Sequence, residues 1–236
     1  MKNQTVQSNT FRTDLQHQQL ERVYRAHLNS VATHTEGRLV AGEKTRKGLA
    51  LGAQMMQDTL SNWAQLRQTW QSTPERIWIW SDLHLSHKNI SQHAGRPFDN
   101  IVYMNQTLET NAQCVGKDDV LLCLGDVSFD EPDATRQWLA RCPGHKYLIL
   151  GNHDIDRSRK IEALTTLGFD GIGECLVLPH QNRLLWFTHY PIARERLPAH
   201  VTNVHGHTHQ YLLEGPYVNV CVEHLGYTPQ QLMSLL

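Results

Sequence analysis

No stretch of this 236-residue chain approaches the roughly 20 consecutive apolar residues that a bilayer span needs, and its opening residues are polar, without the apolar core of a secretory signal. A cytoplasmic protein without membrane contact is therefore expected. Cysteine is sparse. Cys114, Cys123, Cys142, Cys175 and Cys221 stand singly, with no C-x-x-C spacing, and an odd number leaves one unpaired under any disulfide scheme. They are expected to be reduced and mostly buried as small hydrophobes. Net charge is nearly absent, at −1. Residues 1–73 carry nine Lys and Arg against five Asp and Glu, which puts that segment at +4 and the remainder at −5. So mild an asymmetry gives no support to a nucleic-acid surface.

What is present is an ordinary 40% of hydrophobic residues and an unusual 15 histidines. At this length one large domain with an appendage is expected rather than two full domains. The first seventy residues read as helical. Thr13 and Gln16 have capping-box spacing, followed by Leu20, Val23, Tyr24, His27 and Val31 at helical intervals. A loop from His34 to Lys47 separates this from a second apolar stripe, Leu49, Ala53, Met56, Leu60, Trp63 and Trp70, which Ser72-Thr73-Pro74 ends. The two tryptophans are expected to pack rather than to stack bases. Residues 1–73 thus form a helical N-terminal extension, a candidate for homo-oligomer contacts, and residues 74–236 the main domain.

From Arg76 onward the pattern changes to short apolar runs, each ending in a polar motif: Ile77–Trp80, Val120–Leu124, Tyr147–Leu150, Leu184–Thr188, Val201–Val204 and Tyr217–Val222. Runs this apolar suit strands covered on both faces. Helical candidates at Tyr103–Gln113 and Ala134–Arg141 separate the first three, predicting a parallel β-α-β-α-β unit. The later runs leave little room for helices and predict a more antiparallel second half. In open α/β sheets, sites form beyond the carboxyl ends of strands, and the polar motifs occupy those positions.

Five motifs carry the chemistry. Asp82-x-His84 spaces a carboxylate and an imidazole two apart, so an extended segment would point both to one side. Gly125-Asp126 places a carboxylate, the natural group to bridge two cations, after the second run. Gly151-Asn152-His153-Asp154 follows the third run, with Gly151 allowing a sharp turn. His189 and then Gly206-His207-x-His209 complete the set. Nitrogen and oxygen donors without thiolate suit manganese, iron, zinc, cobalt or nickel better than calcium. His17, His27, His34, His93, His145, His180, His200 and His224 have no such support and are expected to be structural. His205, two before His207, is a candidate to stand behind the ligands.

In this order, the five motifs resemble those of the calcineurin-like metallophosphoesterase family, over about residues 76–225. Ser86-His87-Lys88-Asn89-Ile90, Arg96-Pro97-Phe98, His189-Tyr190-Pro191 and Asn219–Glu223 further resemble a small bacterial and phage-associated subgroup of predicted phosphoesterases. The resemblance implies an α/β (α+β) fold, a four-layer sandwich of two mixed β-sheets flanked by helices. It also implies two divalent ions, manganese first. Asp82, His84, Asp126 and His209 would hold one; Asp126, Asn152, His189 and His207 would hold the other. Hydrolysis of a phosphodiester or phosphomonoester, nucleotide-like in character, would follow from in-line attack of a water shared by the ions, with His153 as general acid. Asp154 is a candidate to orient His153. His87, Asn89, Arg96 and Tyr190 are candidate substrate contacts, Arg96 as a phosphate clamp. Two other functions compete: a nuclease guided by the N-terminal helices, and a non-catalytic metal-binding scaffold, whose sign would be lost ligands. None is lost here.

Overall fold

The computed structural model of the chain describes residues 63–155, 164 and 166–236. The helix expected around Leu20–Val31, the loop from His34 to Lys47, the stripe from Leu49 to Leu60 and any oligomer contact through them lie outside the described residues. The end of that stripe is helix α1, Ala64–Ser72. Trp63, Leu66 and Trp70 are buried. The Trp63 ring lies 5.2 Å from that of Tyr147, and Trp70 Nε1 donates to the Pro179 carbonyl at 2.7 Å. Both tryptophans therefore pack, as expected, each burying apolar surface worth about 2–3 kcal/mol.

Strand β1 is Ile77–Trp80 and β2 is Val120–Cys123, a run buried at every position because both faces of the sheet are covered. Between them lie a short helix α2, Ile90–His93, and helix α3, Ile101–Ala112. Asn100 caps α3 by accepting the Tyr103 N–H at 2.8 Å, and Met104, Leu108 and Ala112 recur every four residues on its buried face. Helix α4, Pro132–Arg141, starts on a proline and buries Trp138, whose ring stacks on Trp80 at 6.2 Å. It leads to β3, His145–Ile149; the single-turn helix α5, Asn152–Ile155, comes next, and then β4, Gly171–Gly173. The order in this sheet is β4-β3-β2-β1-β9, all parallel except β9, Gln230–Gln231, which pairs antiparallel with β1. The parallel β-α-β-α-β unit is as predicted.

The second sheet runs β5 (Leu176–His180), β6 (Arg183–Thr188), β7 (Val201–His205) and β8 (Tyr217–Asn219), in that order. Here the structure corrects the expected antiparallel arrangement. Only β5 and β6 pair antiparallel; β6–β7 and β7–β8 are parallel. Parallel neighbours need a long crossover, usually a helix. In this sheet residues 189–200 and 206–216 make the crossovers without an α-helix, with only the short 3₁₀ turn Arg194–Arg196, so the lack of a helical pattern between the runs does not make them antiparallel.

The fold is thus two mixed β-sheets with flanking helices, and side chains from both sheets join one hydrophobic core. Among the described residues no helix is long and apolar enough to cross a membrane. The five cysteines are all free, with Cys123, Cys142 and Cys221 buried. Every motif singled out above follows the carboxyl end of a strand: β1, β2, β3, β6 and β7.

Candidate metal centre

The loops at those five strand ends converge on two groups of donors, Asp82, His84 and His209 in one, and Asp126, His189 and His207 in the other. Within each, the ligand-type atoms all lie within 4.8 Å of one another. Asp126 faces both. Its Oδ2 is 3.6 Å from His84 Nε2 and 3.4 Å from His189 Nε2.

The backbone reaches this arrangement by a route other than the expected extended segment. Asp82 and His84 have φ of 59° and 50°, Asp126 55°, His207 67° and His209 46°. Left-handed backbone at non-glycine residues costs of order 1 kcal/mol or more each and persists only where the surroundings enforce it. The enforcing contacts are visible. The Asp82 and His84 N–H groups donate to the carbonyls of Gly125 and Asp126, both at 3.0 Å, which locks the first motif onto the second. Gly125 has φ 93°, and a Cβ there would meet Gly151 and His189 Nδ1 at 2.6 Å. Gly151 is needed for space rather than for the turn expected of it, because a Cβ would collide with Asp126 Oδ1.

Asp82 is fully buried, and its two oxygens have separate jobs. Oδ2 accepts from Ser81 Oγ at 2.6 Å, His207 N–H at 2.8 Å and Cys221 Sγ at 3.2 Å. Oδ1 accepts no hydrogen bond and faces His84 Nε2 at 3.7 Å. Neither ring nitrogen of buried His84 has a hydrogen-bond partner in the protein. Buried polar atoms are almost always satisfied, so orphaned donors that converge are what a cation would complete. The residues present fit a metal.

In the second group His189 Nδ1 donates to the Leu124 carbonyl at 2.7 Å, which turns Nε2 toward Asn152 Oδ1 at 3.0 Å and toward Asp126. A nitrogen lone pair facing two oxygens needs a positive charge between them, from either a proton or a cation. Burial alone would lower the His189 pKa, but the Asp82 and Asp126 carboxylates raise it to about 9. Conversely, burial would push the Asp82 and Asp126 carboxyls up, yet the imidazoles around them, His189 first, hold both below the ordinary range. Proton and metal compete for one nitrogen.

The remaining candidates divide. The His153 N–H donates to Asp126 Oδ1 at 2.8 Å, and its side chain, 36% exposed, has Nε2 4.0 Å from Asp126 Oδ2. Its ring lies beside those of His84, at 5.5 Å, and Phe129, at 4.9 Å. The His87 ring meets Phe129 edge-on at 4.3 Å, Asn89 is exposed next to it, and the exposed Tyr190 lies 4.3 Å from the His207 ring. His87 and Tyr190 thus lie ring to ring with His84 and His207, and the Asn89 N–H donates to His87 Nδ1 at 3.3 Å.

Arg96 is 4% exposed, and its donors go to Glu223, to the carbonyls of Leu83 and Asp82, and to Met104 Sδ. The expected phosphate clamp is a buried brace, because every arm of its fork already has a protein acceptor. Asp154 is likewise not the orienting partner of His153. Its buried carboxylate accepts the backbone N–H groups of Asp126, Gly151 and Val127 at 2.8, 2.8 and 3.0 Å, tying the second and third motifs together. Burial, and the Asp126 charge beside it, push its pKa up. His205 is buried, with Nδ1 donating to the Gly206 carbonyl at 2.8 Å, so it shapes the turn before His207.

Sequence reasoning did not single out Ser81, and it noted Cys221 and Glu223 in the Asn219–Glu223 stretch without giving either a place at the site. The His209 imidazole meets Glu223 Oε1 through Nδ1 at 3.0 Å. The available signal was that a metal-binding imidazole needs a partner on its second nitrogen, and a carboxylate ending the last strand-like run was the one to ask about.

The family model for calcineurin-like phosphoesterases matches residues 75–228. An uncharacterized protein of Methanocaldococcus jannaschii is 30% identical over 168 residues, covering 66% of this chain and 87% of that protein. The gene 66 protein of Mycobacterium phage D29 is 27% identical over 179 residues, covering 64% of this chain and 86% of that one. Among solved structures, a protein of unknown function from Aquifex aeolicus, AQ665, is similar at 24% identity and a TM-score of 0.49, covering 65% of this chain and 94% of that chain.

Proposed function

The chain belongs to the calcineurin-like phosphoesterase family, and from that premise we propose that it is a metal-dependent hydrolase cleaving a phosphodiester or phosphomonoester, nucleotide-like in character. The observation that carries this is the position of Asp126 Oδ2, within 3.6 Å of a donor in each of the two groups. A carboxylate so placed suits two adjacent cations. Asp82, His84, Asp126 and His209 would hold one, and Asp126, Asn152, His189 and His207 the other. Manganese ranks first for a set without thiolates, ahead of iron, zinc, cobalt and nickel. Such ions supply a more acidic water and positive charge for an in-line displacement.

The protein's own groups supply the rest. Asp126 Oδ1 holds the His153 backbone, so the imidazole stands at the rim with Phe129 behind it. From there Nε2 can deliver a proton to the leaving oxygen, which matters most for a poor alkoxide leaving group. His87, Asn89 and Tyr190 would touch the substituents of the phosphoryl group. A scaffold reading is disfavoured because no donor is missing.

The test is metal content together with hydrolysis of bis-p-nitrophenyl phosphate, p-nitrophenyl phosphate, cyclic nucleotides and oligonucleotides in added manganese. Turnover of at least one small ester that stops on chelation is expected. Two bound ions without turnover of any of these would instead make the protein a scaffold, and turnover of oligonucleotides alone would make it a nuclease.

A further inference from the structure

A hydrogen-bonded chain of Arg96, Glu223 and His209 lies behind the Asp82–His84–His209 group, and the hydrolysis proposed above leaves it without a role. Arg96 Nη2 donates to the Asp82 carbonyl at 2.6 Å and Nη1 to the Leu83 carbonyl at 2.8 Å, within the strained turn that carries Asp82 and His84. The same guanidinium holds Glu223 Oε1 through Nε at 2.9 Å and Nη2 at 2.8 Å. That oxygen faces His209 Nδ1 at 3.0 Å, leaving Nε2 for a metal. Glu223 Oε2 is buried without a hydrogen-bond partner, so this carboxylate's contacts are concentrated on one oxygen shared by Arg96 and His209.

We propose that Arg96 and Glu223 are positioning residues that set the metal affinity of the Asp82–His84–His209 group separately from that of the Asp126–His189–His207 group. The inference rests on the metal-centre reading above. One rigid fork holds the turn at Asp82 directly and the His209 imidazole through Glu223. A carboxylate on the far nitrogen of an imidazole fixes its tautomer and makes it a stronger donor. The second group is held by different means: Leu124 O behind His189, and Asp154 behind the Asp126 and Gly151 backbones. The side-chain hydrogen bonds of Arg96 and Glu223 go to each other, to Asp82, Leu83 and Met104, and to His209, and to none of those residues.

The experiment strips the full-length protein with chelator and titrates it with manganese alone, read by calorimetry. The native protein should show two sites. Glu223→Gln, which keeps the size and an acceptor but not the charge, should weaken one site by about 10–100-fold and leave the other within about twofold. Arg96→Lys, which replaces the fork by a single ammonium, should act in the same direction. If Arg96→Lys does not fold, Glu223→Gln still decides. Two unchanged sites in Glu223→Gln, or two sites weakened equally, would overturn the proposal while leaving the proposed function standing. A native protein that takes up no manganese would overturn both.

Discussion

Asp154 offers the sharpest test of how the centre is built, because sequence and structure give it different work. A residue that orients His153 could be removed at the cost of rate alone. A carboxylate accepting three buried backbone N–H groups cannot. In Asp154→Ala, the N–H groups of Asp126, Val127 and Gly151 lose their acceptor. A buried donor left unpaired costs about 1–3 kcal/mol, so three would cost at least about 3 kcal/mol. Removing a buried charge that Asp126 repels offsets part of the larger values, which favours the low end. For a chain of this length, about 3 kcal/mol corresponds to a Tm lower by roughly 6–12 °C. Asp154→Asn should fall by less, since its carbonyl oxygen can keep the Asp126 and Gly151 N–H groups while its amide nitrogen confronts that of Val127. The assay is thermal unfolding of metal-free protein by circular dichroism, run beside manganese-dependent turnover. An unchanged Tm in Asp154→Ala with collapsed turnover would refute the bracing role and restore Asp154 as a partner of His153.

Asp126→Asn should keep the fold, because the amide oxygen can still accept the His153 N–H, but removing the shared charge should cost on the order of 100-fold or more in manganese-dependent hydrolysis. Retained turnover would remove Asp126 from between the two groups. Metal-free protein should have a stability plateau with two edges, measured as urea midpoints from pH 3 to 10. The depressed Asp82 and Asp126 contribute above about pH 4 and lose that contribution as pH falls through their folded values. His189, raised to about 9, contributes fully below about pH 6.5 and loses it as pH rises through 9, a ceiling of about 3 kcal/mol. Bound metal should abolish the alkaline edge, and a flat metal-free profile between pH 6.5 and 9.5 would contradict the placement of His189 against the Asp126 carboxylate in the field of Asp82. Gly206→Ala drives a Cβ into Ser81 Oγ and Asp82 Oδ2, so a loss of about 1–3 kcal/mol with weakened manganese binding is expected. Calorimetric titration and Tm would show neither if the loop can move aside.

Ile77–Trp80 and Val120–Cys123 were legible because parallel strands covered on both faces leave an uninterrupted apolar run. The helix Ile101–Ala112 was legible to within two residues, as Tyr103–Gln113. The crossover loops at 189–200 and 206–216 were not, since strand direction depends on which strands become neighbours, and no local pattern records that. Trp63 and Trp70 could be assigned to packing from their spacing, but only the fold supplied Tyr147 and Pro179 as their partners.

The chain's linear pattern determined the chemistry: carboxylate, imidazole and amide donors after five strand-like runs, in an order whose residue types already limit what can bind. Donor type is a property of the residue and survives without coordinates. Tertiary structure decided which donors share a partner and which residues only hold others in place. Arg96 looked like a clamp and is a brace, Asp154 looked like an orienting acid and ties three amides, and Glu223, part of a motif without a role, stands behind His209. The reason is physical. A side chain's role is fixed by which polar atoms it meets at about 3 Å, and those atoms lie 8 to 127 positions away in sequence for Arg96 alone.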